Sequence, residues 1–163
     1  MNLADVLLLN LGLIAGILLV LWLVSLPLRN SSIIDIFWGI GFFLIVWVTF
    51  LAARSTSPRS LLISVLTSMW GLRLAGYLAW RNLGKGEDHR YRAMREKYGE
   101  RFPLVSLFVV FWLQGLLMWV VAVPVQAAHF GAVPLSWIDV IGTSVWAVGW
   151  LFESVGEWQL IRF

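Results

Sequence analysis

Long apolar runs broken by short polar punctuation set the pattern of this chain. Five runs reach about 20 residues, the length that carries an α-helix across the hydrocarbon core of a bilayer. They are apolar throughout and do not alternate, which argues against the strands of a transmembrane barrel. The pattern predicts spans at about 4–26, 33–53, 59–80, 104–128 and 137–158. Pro27 should stop the first span, because it lacks an amide donor and its ring clashes with the preceding turn. Thr56, Ser57 and Pro58 offer a cap and a first-turn proline for the third. Pro124 should kink the fourth. The amino-terminal run has no basic flank and outlasts the apolar core of a signal peptide, so it reads as a span. The expected fold class is all-α: a polytopic membrane helical bundle, one domain over residues 1–163, with no internal repeat.

One long polar segment interrupts the pattern, at 81–103. It holds seven of the twelve basic residues and four of the nine acidic ones. Within it, Glu87 to Tyr98 should form a short helix, acidic at its start and basic toward its end, as the helix dipole favours. Gly99 should close it. Tyr91, Met94 and Tyr98 fall on one face and are expected to lie on the membrane surface. With Arg29 and Arg162, this segment marks the basic side, against Arg54 and Arg59 on the other. Loop 81–103 and the carboxyl end should therefore face the cytoplasm and the amino end the outside, in keeping with a bacterial inner-membrane protein.

Composition sharpens this picture at four points. Charged residues make up 13% of the chain and mean hydropathy is +0.84, far from a soluble domain. The net charge of +3 gathers at a membrane edge, so no nucleic-acid partner is expected. The absence of cysteine removes disulfides, thiolate metal sites and a cysteine nucleophile. Eleven Trp and ten Phe suit lipid-facing and interfacial positions. There is no Walker loop, GxGxxG, HExxH or Ser-His-Asp arrangement. His89 and His129 fall on opposite sides, and no metal site is expected.

The informative residues are polar groups at membrane depth, where charge is costly. Arg73 lies mid-span, with Trp70, Tyr77 and Arg81 close to the same face. A guanidinium and a phenol there suit an anionic or carbonyl group; the alternative is that Arg73 snorkels, which is hard from this depth, or pairs with a carboxylate for packing. Asp35 reads two ways. Ser32 to Asp35 is a capping-box spacing, and Asp35, Trp38, Gly39 and Phe42 also form a face with a carboxylate at its mouth. Ser136 to Asp139 repeats the spacing and reads as a cap. Glu153 and Glu157, four residues apart, need a cation between them, from Arg73 or the basic loop. Gly142, Trp146, Gly149, Glu153 and Gly156 form a stripe that should admit another helix. Gln114 shares a face with Phe111, Gly115, Met118 and Ala122, and should either bridge helices or hold a ligand amide.

Three stretches carry a resemblance. WGLRLAGYLAWRNLGKGEDHRYRAMREKYG, FWLQG and GWLFESVGEWQLIRF are similar to bacterial DUF1295 membrane proteins, relatives of the steroid 5-alpha-reductase and sterol reductase superfamily. The likeness runs from Ser32 onward. It implies a multi-span helical fold, NADPH as cofactor, and reduction of an activated carbon–carbon double bond in an apolar, steroid- or lipid-like substrate. It implies catalytic or cavity roles for Arg73 and Tyr77, with Asp35 a further candidate. It implies cofactor contacts from Arg81, Asp88, Arg90, Tyr91, Arg95, Gln114, Glu153 and Glu157. Departures accompany it. Trp70 stands where steroid reductases carry a proton-donating tyrosine, and Glu153 and Glu157 stand for an Asn-x-x-x-Asp pair. The family's Arg-His-Pro-Asn-Tyr-type motif does not follow, so an incomplete version of a longer fold is expected. The leading expectation is a membrane reductase of this kind. The alternatives are a non-catalytic protein that binds lipid or a partner subunit, and a small transporter.

Overall fold

The computed structural model describes residues 1–55, 57–82, 84–131 and 134–161. Among them every regular element is helical. In order these are α1 (Leu3–Leu28), α2 (Ile33–Ala53), α3 (Pro58–Asn82), α4 (His89–Tyr98), α5 (Phe102–Ser106), α6 (Leu113–Ala127) and α7 (Trp137–Ile161). A 3-10 turn, Gly99–Arg101, joins α4 to α5, and a π-helical turn, Leu107–Trp112, joins α5 to α6. Five helical runs are long and apolar enough to cross a membrane. The fold is a multi-pass helical bundle, as the apolar runs predict.

Two boundaries differ from expectation, each for a local reason. Pro27 lies inside α1, which continues to Leu28. Proline this near a carboxyl end forfeits only one backbone bond. The helix closes instead where Arg29, at φ 47°, donates to Leu26 and Asn30 donates to Ser25, a Schellman closure with arginine in the place glycine usually takes. The short helix expected at Glu87–Tyr98 is present as His89–Tyr98, but it is continuous with the fourth span: His89–Phe130 is one helical run. The proposed cap at Thr56 lies outside the described residues.

The core is built by α1, α2 and the α5–α6 run. Ile14 and Leu18 of α1 meet Ile34, Phe37, Phe42 and Ile45 of α2, with Phe111, Met118 and Ala122 filling between. The expected Phe111–Gly115–Met118–Ala122 face is the buried one. Glycines let these helices close up. A Cβ on Gly115 would run into Leu18, and one on Gly41 into Met118. The tightest approach is α2 on α3, where Gly39 and Gly71 meet backbone to backbone.

By contrast, α7 has no buried residue in its spanning window. Its attachments to α3 are electrostatic. Near its start, Asp139 takes a two-pronged pair from Arg59, 2.7 Å on each oxygen. Asp139 also accepts from the Ser136 amide at 2.7 Å, so the predicted cap is present. The glycine stripe of α7 does not receive a helix as expected: a Cβ on Gly142, Gly149 or Gly156 would meet nothing.

Candidate functional site

The site grows from the way the polar segment folds back onto the α1–α2 turn. Asp88 caps α4 by accepting from the Arg90 amide. Its own amide donates to the Ser32 hydroxyl at 2.7 Å. Glu87 accepts from the Ser31 amide at 2.9 Å and from both prongs of Arg95. Burial pushes the Glu87 carboxyl up, but the Arg95 and Ser31 hydrogen bonds outweigh it and hold the group below its ordinary value. The Arg90 side chain, bonded to Asp88, holds that carboxyl low as well. These bonds fix α4 across the mouth of α2.

Asp35 then finds its partners. It does not cap α2; Ser32 precedes the helix without a side-chain cap. Its oxygens instead accept from Tyr91 at 2.7 Å and from Arg90 at 3.0 Å. The Tyr91 hydroxyl in turn accepts from Gln114 at 3.2 Å, and Gln114 accepts from the Trp38 indole at 2.5 Å. Gln114 therefore bridges helices, the first of its two expected roles. Tyr91 is buried and Met94 packs on the core, so the predicted surface stripe turns inward, with Tyr98 alone exposed. A buried hydroxyl paired to a carboxylate gains more there than at an interface.

Two cavities flank this network and share Arg81. One, of about 260 Å³, is lined by Asp35, Trp38, Trp70, Leu74, Leu78, Arg81 and Arg90. Phe42 supports its aromatic wall, edge-on to Trp70 at 5.3 Å. The other, of about 340 Å³, is polar and lined by Arg81, Asn82, Lys85, Gly86, Glu87, Asp88 and His89. The carboxylates bordering both are committed: Asp35 and Asp88 to Arg90, Glu87 to Arg95. Among the described residues Arg81 and Lys85 have no carboxylate partner. Arg81 bonds only to Asn82 at 3.0 Å and lies over the Tyr77 ring.

The remaining predicted residues assemble elsewhere. Arg73 pairs with Glu153 at 2.7 Å and with Glu157, and Glu153 also accepts from the Trp70 indole at 2.9 Å. This is the cation the two glutamates require. It also means that Arg73, Glu153 and Glu157 line neither cavity and are spent on one another. Arg95 lies 4.2 Å over the Phe102 ring and braces α4. Tyr77 touches the site only through Arg81.

Sequence reasoning missed a second polar cluster on the far side from α4. Asn10 donates to Thr49 at 2.8 Å and to Gln126 at 2.7 Å, all fully buried. Beside it His129 meets Ser64 at 3.1 Å. The signal was present as uncharged polar residues within apolar runs, but attention to charge alone passes over them.

The family described as "Protein of unknown function (DUF1295)" matches residues 21–163. The chain belongs to the DUF1295 family. DUF1295 is a membrane family of the steroid 5-alpha-reductase-like group. The match takes in α2 through α7, and with them every residue of the Arg81 cavities. No curated protein and no solved structure matches the chain.

Proposed function

We propose that this DUF1295 protein is an NADPH-dependent membrane reductase acting on a carbon–carbon double bond in an apolar, lipid-like substrate. The observation that carries this reading is the pair of cavities meeting at Arg81, one aromatic and one polar, with two cations on the polar side that form no ion pair among the described residues. The residues present fit the phosphate part of a nucleotide: Arg81 and Lys85 supply charge, and the Gly86 backbone allows close approach. NADPH bound there would supply the hydride. Arg81 has a two-sided fork, so it can hold a phosphate oxygen on one side and a substrate oxygen on the other. Asp35, held by Tyr91 and Arg90, limits the negative charge that the aromatic cavity accepts. Asp88 and Arg95 hold the polar wall in shape, and Gln114 fixes Tyr91. Arg73, Glu153 and Glu157 position α7 beside Trp70. In this reading the polar cavity and α4 face the cytoplasm, because the basic residues gather on that side.

A second reading rests on the commitment of Glu153 and Glu157 to Arg73. Spent in this way, they do not contact a cofactor, which favours a non-catalytic protein that binds lipid or a partner subunit. Titrating NADPH into the detergent-purified protein separates the two. The reductase reading expects a saturable change in NADPH fluorescence, weakened about tenfold or more in Arg81→Gln, since that change removes a charge-assisted phosphate contact. A titration without saturation, identical in wild type and R81Q, would overturn the reductase reading in favour of the non-catalytic one.

A further inference from the structure

We infer that the aromatic cavity takes the head end of a single-chain lipid bearing one carboxylate, with Arg81 as its anchor. This deepens the reductase reading and rests on its assignment of that cavity to the substrate, although binding is testable without turnover.

Three observations converge. First, Arg81 is the cation of this cavity that no carboxylate touches. Arg90 is shared by Asp35, 3.0 Å away, and Asp88, whereas Arg81 acts on Asp35 only at longer range and forms no ion pair among the described residues. A guanidinium that no carboxylate touches keeps part of its donor fork free, so it favours an anionic partner over a neutral one. A monoanion suits it better than a doubly charged group, because Asp35 shares the same lining and repels excess negative charge.

Second, the neutral donors around the cavity are already used. The Trp38 indole donates to Gln114 and the Trp70 indole to Glu153, both on helices away from the cavity. What the indoles offer inward is ring surface, which suits alkyl chain. A polyhydroxylated ligand would find few donors beyond the arginines.

Third, the size fits an end rather than a whole molecule. At about 260 Å³ the cavity falls below the roughly 300–1,000 Å³ of sites that enclose a drug-sized ligand. Leu74 and Leu78 line it on α3, a helix whose Leu72 and Trp80 are exposed. A chain entering with its carboxylate first would leave its tail along that apolar surface, where a bilayer supplies the rest of its environment. A compact polycyclic molecule would be only partly covered.

The test uses the full chain in dodecyl maltoside, with tryptophan quenching by ω-bromododecanoate compared with ω-bromododecanol. Trp38 and Trp70 line the cavity, so the saturable part of the quenching should be lost in Trp38→Phe, Trp70→Phe, against the background of the other nine tryptophans. The acid should quench saturably at about tenfold lower concentration than the alcohol, the effect expected of one charge-assisted contact. Arg81→Gln should abolish that preference and Arg81→Lys should keep most of it. Leu74→Phe, which leaves every charge in place, should raise the acid concentration required. Equal quenching by acid and alcohol in the wild type, or an acid preference that survives R81Q, overturns the proposal. Acid preference without an NADPH response would sink the reductase reading alone. An NADPH response without acid preference would sink this inference alone.

Discussion

Tyr91 on α4 donates its hydroxyl hydrogen to Asp35 on α2 at 2.7 Å. That bond ties the basic segment to a spanning helix, and Gln114 extends it to the fourth span. Removing the hydroxyl leaves a carboxylate oxygen and an amide without their partner. Tyr91→Phe should therefore cost on the order of 1–3 kcal/mol of stability. Tyr91→Phe and Gln114→Leu should be non-additive, because both break one network. Thermal unfolding of the single and double variants in detergent checks this. Additive shifts would mean that the three groups do not act together.

The contact of Gly39 with Gly71 makes a sharper demand. A methyl on Gly39 would collide with the Gly71 carbonyl, which is backbone and cannot swing aside. Gly39→Ala should lower the unfolding midpoint strongly, by the roughly 1–3 kcal/mol or more that overpacking costs. Gly76→Ala, on the same helix as Gly71 with open space around it, should be neutral or gain up to about 1 kcal/mol from helix propensity. The two substitutions share a chemistry and differ only in neighbours. Equal effects would contradict the close approach of α2 and α3.

Loss of Arg73 should release α7. Arg73→Ala leaves Glu153 and Glu157 facing each other without a cation, and should cost on the order of 2 kcal/mol once partial exposure is allowed for. The chain has no cysteine, so a Leu62→Cys, Val140→Cys pair can report the α3–α7 gap without background. Because this pair lies beside the Arg59–Asp139 mooring, its disulfide yield should fall when R59A is combined with R73A. An unchanged yield would show that the ion pairs do not hold the helix.

The pH dependence follows from Glu87. Its folded-state pKa is depressed below 4.5, so its stabilising effect is complete above that value. The effect should be lost as pH falls below 4.5 through the folded value, where the carboxyl protonates and releases Arg95 and Ser31. Asp88, depressed from 3.8, adds to the loss at lower pH. Unfolding midpoints measured from pH 6 downward should drop across this acid window, and Glu87→Gln should flatten the drop. An equally steep curve in E87Q would remove Glu87 from the account.

What could be read beforehand followed the solvent. Five spans were legible because a bilayer demands about 20 apolar residues wherever the chain crosses. The Arg73–glutamate cluster was legible because charge at that depth requires a partner. Asp35 was not decided, because a cap and a tertiary carboxylate share one local spacing, and only the position of α4 separates them. Tyr91 was misplaced for the same reason. Its helical face was correctly grouped, but what lies against that face depends on how the α1–α2 turn receives Ser31 and Ser32. The glycines divided likewise: those of α2 and α3 are closed by a neighbour, while those of α7 have none.

The way α7 is attached carries a consequence of its own. Most of the bundle is held by interlocking shapes, whose grip is indifferent to the surrounding medium. This helix is moored by charges at two points along its length, and such moorings strengthen as water is excluded and slacken where water and salt enter. Its hold on the bundle is thus set by the lipid around it more than by the protein beneath it. A thin, wet micelle would loosen α7 before it disturbed anything else.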